Sequence, residues 1–493
     1  MEKAAFGPAA GAARPAWPAW APAAAVVAAL TALRLLWLAG DPVDLYGDEA
    51  QYWIWAKEPA FGYYSKPPLV AWLIALSTAL FGDGVLAIKL PSALVHAGTA
   101  MVLWAIGRDL GGERAAFWSA VVWATLPAVF LSAVIISTDP PLLLCWGLAL
   151  HAFLRARRSS GTGWWVVAGI WTGLGLLAKY AMGYFILSAA LCLVATPGDR
   201  SLLWRRLPAT IVPATLLLAP NIAWNAVNGF ATFRHTGDNA NLGGSLFHPG
   251  ALAEFVASQL LVFGPITFLA LVAAVATARG GDARRLTFFV WPTLAVACVI
   301  AFLSRAHANW AAPAYVAATP LVVAWLLERG RRRLLAAAVA LHVALGAIVM
   351  VGPATVRAAG FDLPARFDPW RRVSGWAELG DAVTALRARH PEAGLLVDHR
   401  ILLAALVYYV RPHPFDVVKW NPDGVANDHF ELTTHLEAAP QRSFILVTPR
   451  ADPADVLARF DKSERLAEIV VPIGPDRDRR HHAFLVTGFR GYR

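Results

Sequence analysis

A succession of apolar runs, each long enough to cross a lipid bilayer, constrains this 493-residue chain more than any other feature. A helix needs about 20 mostly apolar residues to span a hydrocarbon core about 30 Å thick. Eleven such runs lie near residues 20–40, 85–107, 115–136, 140–155, 164–178, 180–196, 207–226, 251–277, 286–303, 310–327 and 333–351. This pattern predicts a mainly α-helical, polytopic membrane protein with about eleven transmembrane helices.

Charged residues are concentrated after the last apolar run. Residues 1–352 contain 39 of the 76 charged residues, about 11% of that stretch, and residues 353–493 contain 37, about 26%. We therefore expect a transmembrane domain over 1–352 and a small soluble α/β domain over 353–493. The β-like runs of this tail lie at 394–397, 443–448, 468–473 and 483–489, and its helical patterns at 376–389, 400–410 and 453–460.

The arginines predict the orientation, because cytoplasmic loops of membrane proteins are enriched in basic residues. A twelfth apolar run, 67–81, is short and opens with two prolines. If it does not span, 17 of the 24 basic residues of the membrane region are cytoplasmic, whereas a spanning 67–81 moves 15 arginines outside. We therefore interpret 67–81 as a juxtamembrane helix of the first outer loop, 41–84. The soluble tail then lies outside, in the periplasm of a Gram-negative cell.

The net charge of +10 is explained by these loop clusters, so we predict no nucleic-acid partner. The few outer basic residues lie beside outer acids, amides and a histidine. Charged groups near membrane depth need a partner or a water-filled cavity. We therefore predict one polar cavity at the outer face. Its expected acids, amides and histidine are Asp44, Asp48, Glu49, Asp139, Asn225, Asp238, His307 and Asn309.

The first outer loop carries the strongest candidate residues. Asp48 and Glu49 follow a membrane span directly, and a carboxylate there can take a proton from a hydroxyl or hold a divalent cation. Lys66 suits a phosphate, and Tyr63 and Tyr64 can line a sugar or lipid path. The alternative is that the two acids only cap and solubilise a loop helix.

This loop resembles that of the GT-C glycosyltransferases, which include protein O-mannosyltransferases and the enzymes that add aminoarabinose or galacturonic acid to lipid A. The resemblance begins with Tyr46-Gly47-Asp48-Glu49 and Tyr63-Tyr64-Ser65-Lys66-Pro67-Pro68, and it covers roughly residues 20–350. It continues through Ser137-Thr138-Asp139-Pro140, Leu177-Ala178-Lys179-Tyr180, Asn221-Ile222-Ala223-Trp224-Asn225 and His307-Ala308-Asn309-Trp310.

The resemblance implies a polyprenyl-phosphate sugar donor, a lipid, glycan or protein acceptor, and a bacterial inner-membrane location. It also implies that Asp48 activates the acceptor and Lys66 binds the donor phosphate. Arg234 and Arg305 are further candidates for the phosphate, and Tyr46 is a substrate-lining candidate.

Several other residues have a structural explanation beside a functional one. Asp139 can cap the helix that it begins, or act as a second acid. Lys179 can reach the lipid headgroups, or contact the donor phosphate. Arg305, His307 and Asn309 can form a solvated loop, or contact the donor or an acidic acceptor.

The need for a metal stays open at this stage. If a cation binds, Asp48, Glu49 and Asp139 favour Mg²⁺ or Mn²⁺ over zinc. A transporter or flippase of an anionic lipid-linked glycan is the alternative function, although no internal repeat is visible. A membrane scaffold whose outer domain binds a partner is a third possibility, which leaves the charged first loop unexplained.

Overall fold

The computed structural model describes residues 17–40, 43–238, 246–439 and 442–492. Helices dominate it up to residue 358. They are α1 (Ala21–Gly40), α2 (Gly47–Lys57), α3 (Leu69–Phe81), α4 (Val85–Thr125), α5 (Pro127–Ser132), α6 (Asp139–Arg158), α7 (Gly163–Ala178), α8 (Gly183–Ala195), α9 (Arg200–Val227), α10 (Ala231–Asp238), α11 (Pro249–Val262), α12 (Pro265–Thr277), α13 (Gly281–Thr287), α14 (Trp291–Leu303), α15 (Ala312–Glu328) and α16 (Arg332–Ala358).

Six helical segments in the described ranges are long and apolar enough to cross a membrane, or seven if the bent pair α11–α12 forms one span. Helix α4 contains the expected run 85–107 and the first half of the run 115–136. Its 41 residues would extend about 60 Å, twice the thickness of a bilayer core. It is broken at Gly111 and Gly112, and the φ of 74° at Gly112 is a conformation that glycine adopts without strain.

Two runs differ from the simple expectation. The run 251–277 is divided into α11 and α12, which meet at an angle of 107°. Gly264 at the break has a φ of 85°, and Pro265 begins the second helix. The ambiguous run 67–81 forms α3, whose 13 residues rise only about 20 Å. The count of about eleven spans remains a prediction.

Beyond Ala358 the chain contains a five-stranded mixed sheet in the order β2-β1-β3-β5-β4. β1 is parallel to β2 and β3, and β5 is antiparallel to β3 and β4. The strands are β1 (Gly394–Val397), β2 (Val418–Lys419), β3 (Ser443–Thr448), β4 (Phe460–Gly474) and β5 (Arg477–Phe489). The helices of this part are α17 (Trp376–Arg389), α18 (Arg400–Tyr409), α19 (His429–Thr433) and α20 (Ala454–Leu457).

The loop before and after α2 packs into the sheet-containing part. One buried apolar cluster includes Trp53 and Trp55 of α2, Ile74 of α3, and Leu403 of α18. Asp44 accepts a hydrogen bond from the backbone N–H of Trp376 at 2.7 Å, at the beginning of α17. The first loop and the C-terminal part therefore form a continuous core, and this core determines where the N-terminus of α2 lies.

Candidate active site

A cavity of about 680 Å³ lies where the first loop, the membrane helices and the C-terminal part meet. It is lined by charged and aromatic side chains from all three regions. Its ionisable lining residues are Asp48, Tyr52, Tyr64, Lys66, Asp139, Lys179, Tyr180, Tyr184, His235, His307, Arg400, Asp428 and His429. Most of the candidate residues predicted from the sequence are therefore neighbours around one space.

Asp48 lies in the first turn of α2 and faces this cavity. Nη1 of Arg400 in α18 donates a hydrogen bond to its carboxylate at 2.8 Å and another to Gln51 at 2.6 Å. The glycine before Asp48 permits this approach, since a Cβ on Gly47 would lie 2.2 Å from Cγ2 of Ile401. The Asp48 side chain remains 37% exposed, so one face is accessible to a ligand.

Glu49, in contrast, does not line the cavity. Its carboxylate is fully buried beside the ammonium of Lys89 at 3.0 Å. It also accepts hydrogen bonds from the backbone N–H groups of Tyr46, at 2.8 Å, and Ile136, at 2.7 Å. The sequence placed Glu49 with Asp48 among the catalytic candidates, whereas its carboxylate lies outside the cavity. Glu49 holds α2 against α4 and the chain before α6, and so fixes the position of Asp48.

Asp139 joins three parts of the cavity wall. As the first residue of α6 it accepts hydrogen bonds from Lys179, at 2.6 Å, and from Asn309, at 2.5 Å. Lys179 lies in the extended break after α7, and Asn309 lies in a short 3₁₀ turn before α15. Thr138 occupies the N-cap position of α6 and makes no side-chain capping hydrogen bond. The carboxylate thus positions the ammonium of Lys179 at the cavity wall.

Lys66 lines the same cavity, and its ammonium has no hydrogen bond or ion pair with another described residue. Burial lowers the pKa of its ammonium, and the nearby positive charge of Lys179 lowers it further. A partly buried cation without a partner is unfavourable, and an anionic ligand would relieve this penalty. Lys66 therefore has the position and the electrostatic character of an anion-binding residue.

Of the other candidates, some line the cavity and some are buried behind its wall. Tyr64 and His307 line the cavity. Tyr63 lies behind it, stacked on Trp55 at 4.4 Å. Asn225 is fully buried, where its amide donates to Tyr180 at 3.2 Å and accepts from the backbone of Thr232.

Three further candidates do not reach the cavity wall. Arg234 and Arg305 are exposed, and neither lines the cavity. Tyr46, which precedes α2, does not line it either. Contact of these three side chains with a substrate remains a prediction.

Sequence reasoning missed the contribution of the C-terminal part, namely Arg400, Asn427, Asp428 and His429. The resemblance ended near residue 350, and the tail has too many charges for any one of them to stand out. Burial lowers the pKa of His429 to about 4 and that of His235 to about 4, so both imidazoles are neutral near pH 7. They add polar surface without adding charge.

The expected metal ligands do not form a set in this geometry. Glu49 lies outside the cavity, while Asp48 and Asp139 are each paired with a basic side chain. Within the described ranges, no three His, Cys, Asp or Glu side chains are grouped as metal ligands. These residues therefore do not fit a three-carboxylate Mg²⁺ or Mn²⁺ site.

Comparison with known proteins agrees with the class that the fold and the cavity indicate. Residues 65–224 match the family described as dolichyl-phosphate-mannose-protein mannosyltransferase. The chain is 33% identical over 411 residues to lipid A galacturonosyltransferase RgtD of Rhizobium johnstonii, covering 82% of this chain and 86% of that one. It thus belongs to the GT-C superfamily of membrane glycosyltransferases.

Two further relatives are more distant. An undecaprenyl phosphate-alpha-4-amino-4-deoxy-L-arabinose arabinosyl transferase of Pseudomonas savastanoi pv. phaseolicola is 29% identical over 131 residues, 26% of this chain and 25% of that one. The crystal structure of ArnT from Cupriavidus metallidurans bound to undecaprenyl phosphate has a TM-score of 0.64 at 18% identity, covering 95% of this chain and 98% of that one. That likeness establishes the fold.

Proposed function

We propose that this glycosyltransferase moves a sugar from a polyprenyl-phosphate donor to a lipid A-type acceptor at the outer face of the bacterial inner membrane. The observation that carries the proposal is one cavity lined by an accessible carboxylate, Asp48, and an unpaired ammonium, Lys66. The names of the relatives support the substrate classes, since RgtD acts on lipid A and ArnT was crystallised with undecaprenyl phosphate.

The reaction needs a base for the acceptor and a cation for the leaving group. A hydroxyl or phosphate oxygen of the acceptor attacks the anomeric carbon, and a hydroxyl passes its proton to Asp48. The bond between the anomeric carbon and the donor oxygen breaks, and polyprenyl phosphate leaves with the bonding electrons. Lys66, with Lys179 beside it, stabilises the negative charge that develops on this phosphate. Attack opposite the phosphate inverts the anomeric configuration.

Arg400 and Asp139 position the reacting side chains and take no part in the bond changes. The guanidinium of Arg400 donates a hydrogen bond to the Asp48 carboxylate and fixes its direction. Asp139 holds the ammonium of Lys179 at the cavity wall. The buried pair of Glu49 and Lys89 keeps the helix that bears Asp48 in place. Such preorganisation is a large part of how enzymes stabilise charge in a transition state.

The two ends of α6 support the proposal that the cavity faces the outside of the membrane. The helix begins at Asp139 in the cavity and ends at Arg158, about 30 Å away. At that end Arg157 pairs with Asp199, and Arg155 lies 2.9 Å from Asp109. The arginine-rich loops and the cavity therefore lie at opposite ends of the helix, as the positive-inside bias requires of an outward-facing site.

The proposal is tested with purified protein in lipid nanodiscs, a polyprenyl-phosphate sugar and lipid A. We expect mass spectrometry to find lipid A heavier by one sugar and an equal amount of free polyprenyl phosphate. A flippase would instead carry the intact donor across proteoliposome membranes. Donor translocation without cleavage of the sugar–phosphate bond would contradict the proposal and support the transporter.

A further inference from the structure

Arg400 has unused hydrogen-bond donors at the cavity. Its Nη1 atom makes the bonds to Asp48 and Gln51, at 2.8 and 2.6 Å. A guanidinium carries five N–H donors in a planar fork. Nε and Nη2 of Arg400 have no hydrogen-bond partner in the described part of the chain, and the side chain is 34% exposed. One edge of the guanidinium thus holds α2, and the other edge is available to a ligand.

Two other basic side chains line the cavity, and each already has a role. Arg400 is therefore a third basic side chain, whose role the donor phosphate does not explain. Lys179 is paired with Asp139, and Lys66 is the unpaired ammonium suited to the donor phosphate. A polyprenyl-phosphate sugar with a neutral ring carries a single negative charge on the phosphodiester. Lys66 and Lys179 can serve that single charge, and Arg400 is a third basic side chain of the cavity, beside the proposed base.

The position of Arg400 matters because Asp48 is itself negative. An anionic group on the sugar, brought close to Asp48, would be repelled unless a cation lay between the two. Arg400 contacts Asp48 and still presents free N–H groups, so it can bridge the two carboxylates. The planar fork of arginine matches a carboxylate in a bidentate arrangement, which a lysine cannot make.

We propose that Arg400 is a specificity-determining residue that binds the carboxylate of a uronic acid, so that the transferred sugar is acidic. This inference rests on the proposed function and assigns the sugar class for the same site. It agrees with the relative named as a galacturonosyltransferase, since galacturonic acid carries a carboxylate at C6. The discriminating residue thus comes from the soluble part of the chain.

The test compares two donors that differ only at C6, polyprenyl-phosphate galacturonic acid and polyprenyl-phosphate galactose, with lipid A as acceptor. We expect the wild type to prefer the acidic donor in kcat/KM by about 100-fold, the range of charge-assisted hydrogen bonds. Arg400→Gln should lower kcat/KM for the acidic donor by about 100-fold and for galactose by less than tenfold. Arg400→Lys should recover part of the preference.

The matched control is Arg450→Gln, which removes another ion-paired arginine of the same part of the chain, away from the cavity. It should leave the donor preference unchanged. Equal losses with both donors in Arg400→Gln would overturn the inference and leave Arg400 as a positioning residue for Asp48. Equal use of both donors by the wild type would also overturn it. Transfer of neither donor by the wild type would overturn it as well, whereas translocation of the intact donor without cleavage would refute the proposed function itself.

Discussion

Arg400 donates a hydrogen bond to Asp48 at 2.8 Å, although 352 residues separate them along the chain. The contact joins the first loop after α1 to the first residue of α18. Part of the cavity wall, including this cation beside the candidate base, therefore comes from the C-terminal part of the chain. The membrane helices and the C-terminal part build the site together.

Removal of the Lys66 ammonium should weaken use of the donor. We expect Lys66→Ala to lower kcat/KM for the donor by about 10- to 100-fold, because a hydrogen bond to a charged phosphate is lost. Lys57→Ala is the control, since Lys57 belongs to the same loop but pairs with Asp83 outside the cavity. Steady-state kinetics with variable donor measure the effect. Equal losses in both variants would contradict a phosphate role for Lys66.

The same lysine predicts a pH dependence. The phosphate-binding form is the ammonium, and burial lowers its pKa from the ordinary 10.5, so it loses its proton at a lower pH than an exposed lysine. The kcat/KM for the donor should therefore fall with rising pH at a point below 10.5. Lys66→Arg should remove this decrease, because arginine stays protonated. An identical profile in both proteins would refute the assignment.

Asp139 and Lys179 should behave as one unit. Asp139→Asn weakens the contact that holds Lys179, and we expect kcat/KM to fall about tenfold. Because the two residues share one interaction, adding Lys179→Met should cause little further loss. Asp109→Asn is the matched control at the opposite end of the membrane domain. Multiplicative losses in the double variant would show that the two residues act independently.

The buried ion pair of Glu49 and Lys89 should contribute to the stability of the folded protein. Lys89→Met leaves the Glu49 carboxylate without a counter-charge in a fully buried site, at a cost of about 3–5 kcal/mol. The double variant Glu49→Gln/Lys89→Met should be more stable than Lys89→Met alone. Thermal unfolding in detergent measures both. A double variant no more stable than the single one would contradict the ion-pair explanation.

Activity should not depend on an added divalent cation. Arg400 and Lys179 already supply positive charge at Asp48 and Asp139, so neither carboxylate is free to act as a simple ligand. Dialysis against EDTA should therefore leave the rate within about twofold. Loss of activity that Mg²⁺ or Mn²⁺ restores would show that substrate binding rearranges these pairs.

Much of the fold follows from local patterns. The apolar runs predict the membrane helices, and the short runs at 394–397 and 443–448 coincide with buried strands β1 and β3. Residues 453–460 looked helical, but only Ala454–Leu457 forms a helix, and Phe460 begins β4. The first half of β4 is charged and exposed, so it lacks the alternation of apolar and polar residues that predicts a strand. Its pairing with β5 stabilises it, and the residues of β4 alone do not predict this partner.

The site was predictable where chemistry and spacing coincide. Asp48, Lys66, Asp139 and Lys179 stood out because each is a charge beside an apolar run. Glu49 looked equivalent to Asp48, but neighbours in the first turn of a helix point in different directions. Its partner Lys89 lies 40 residues away, and Arg400 lies in a region rich in charges. Both contacts depend on tertiary packing, which composition and spacing do not encode.

The most direct measurement is mass spectrometry of lipid A from a deletion strain complemented with wild type, Asp48→Asn or Asp83→Asn at equal protein levels. Asp83 is a carboxylate of the same loop that pairs with Lys57 away from the cavity. We predict that wild type and Asp83→Asn restore one sugar mass on lipid A, whereas Asp48→Asn lowers it by at least about 100-fold, as expected for a lost general base. Full restoration by Asp48→Asn would contradict the mechanism.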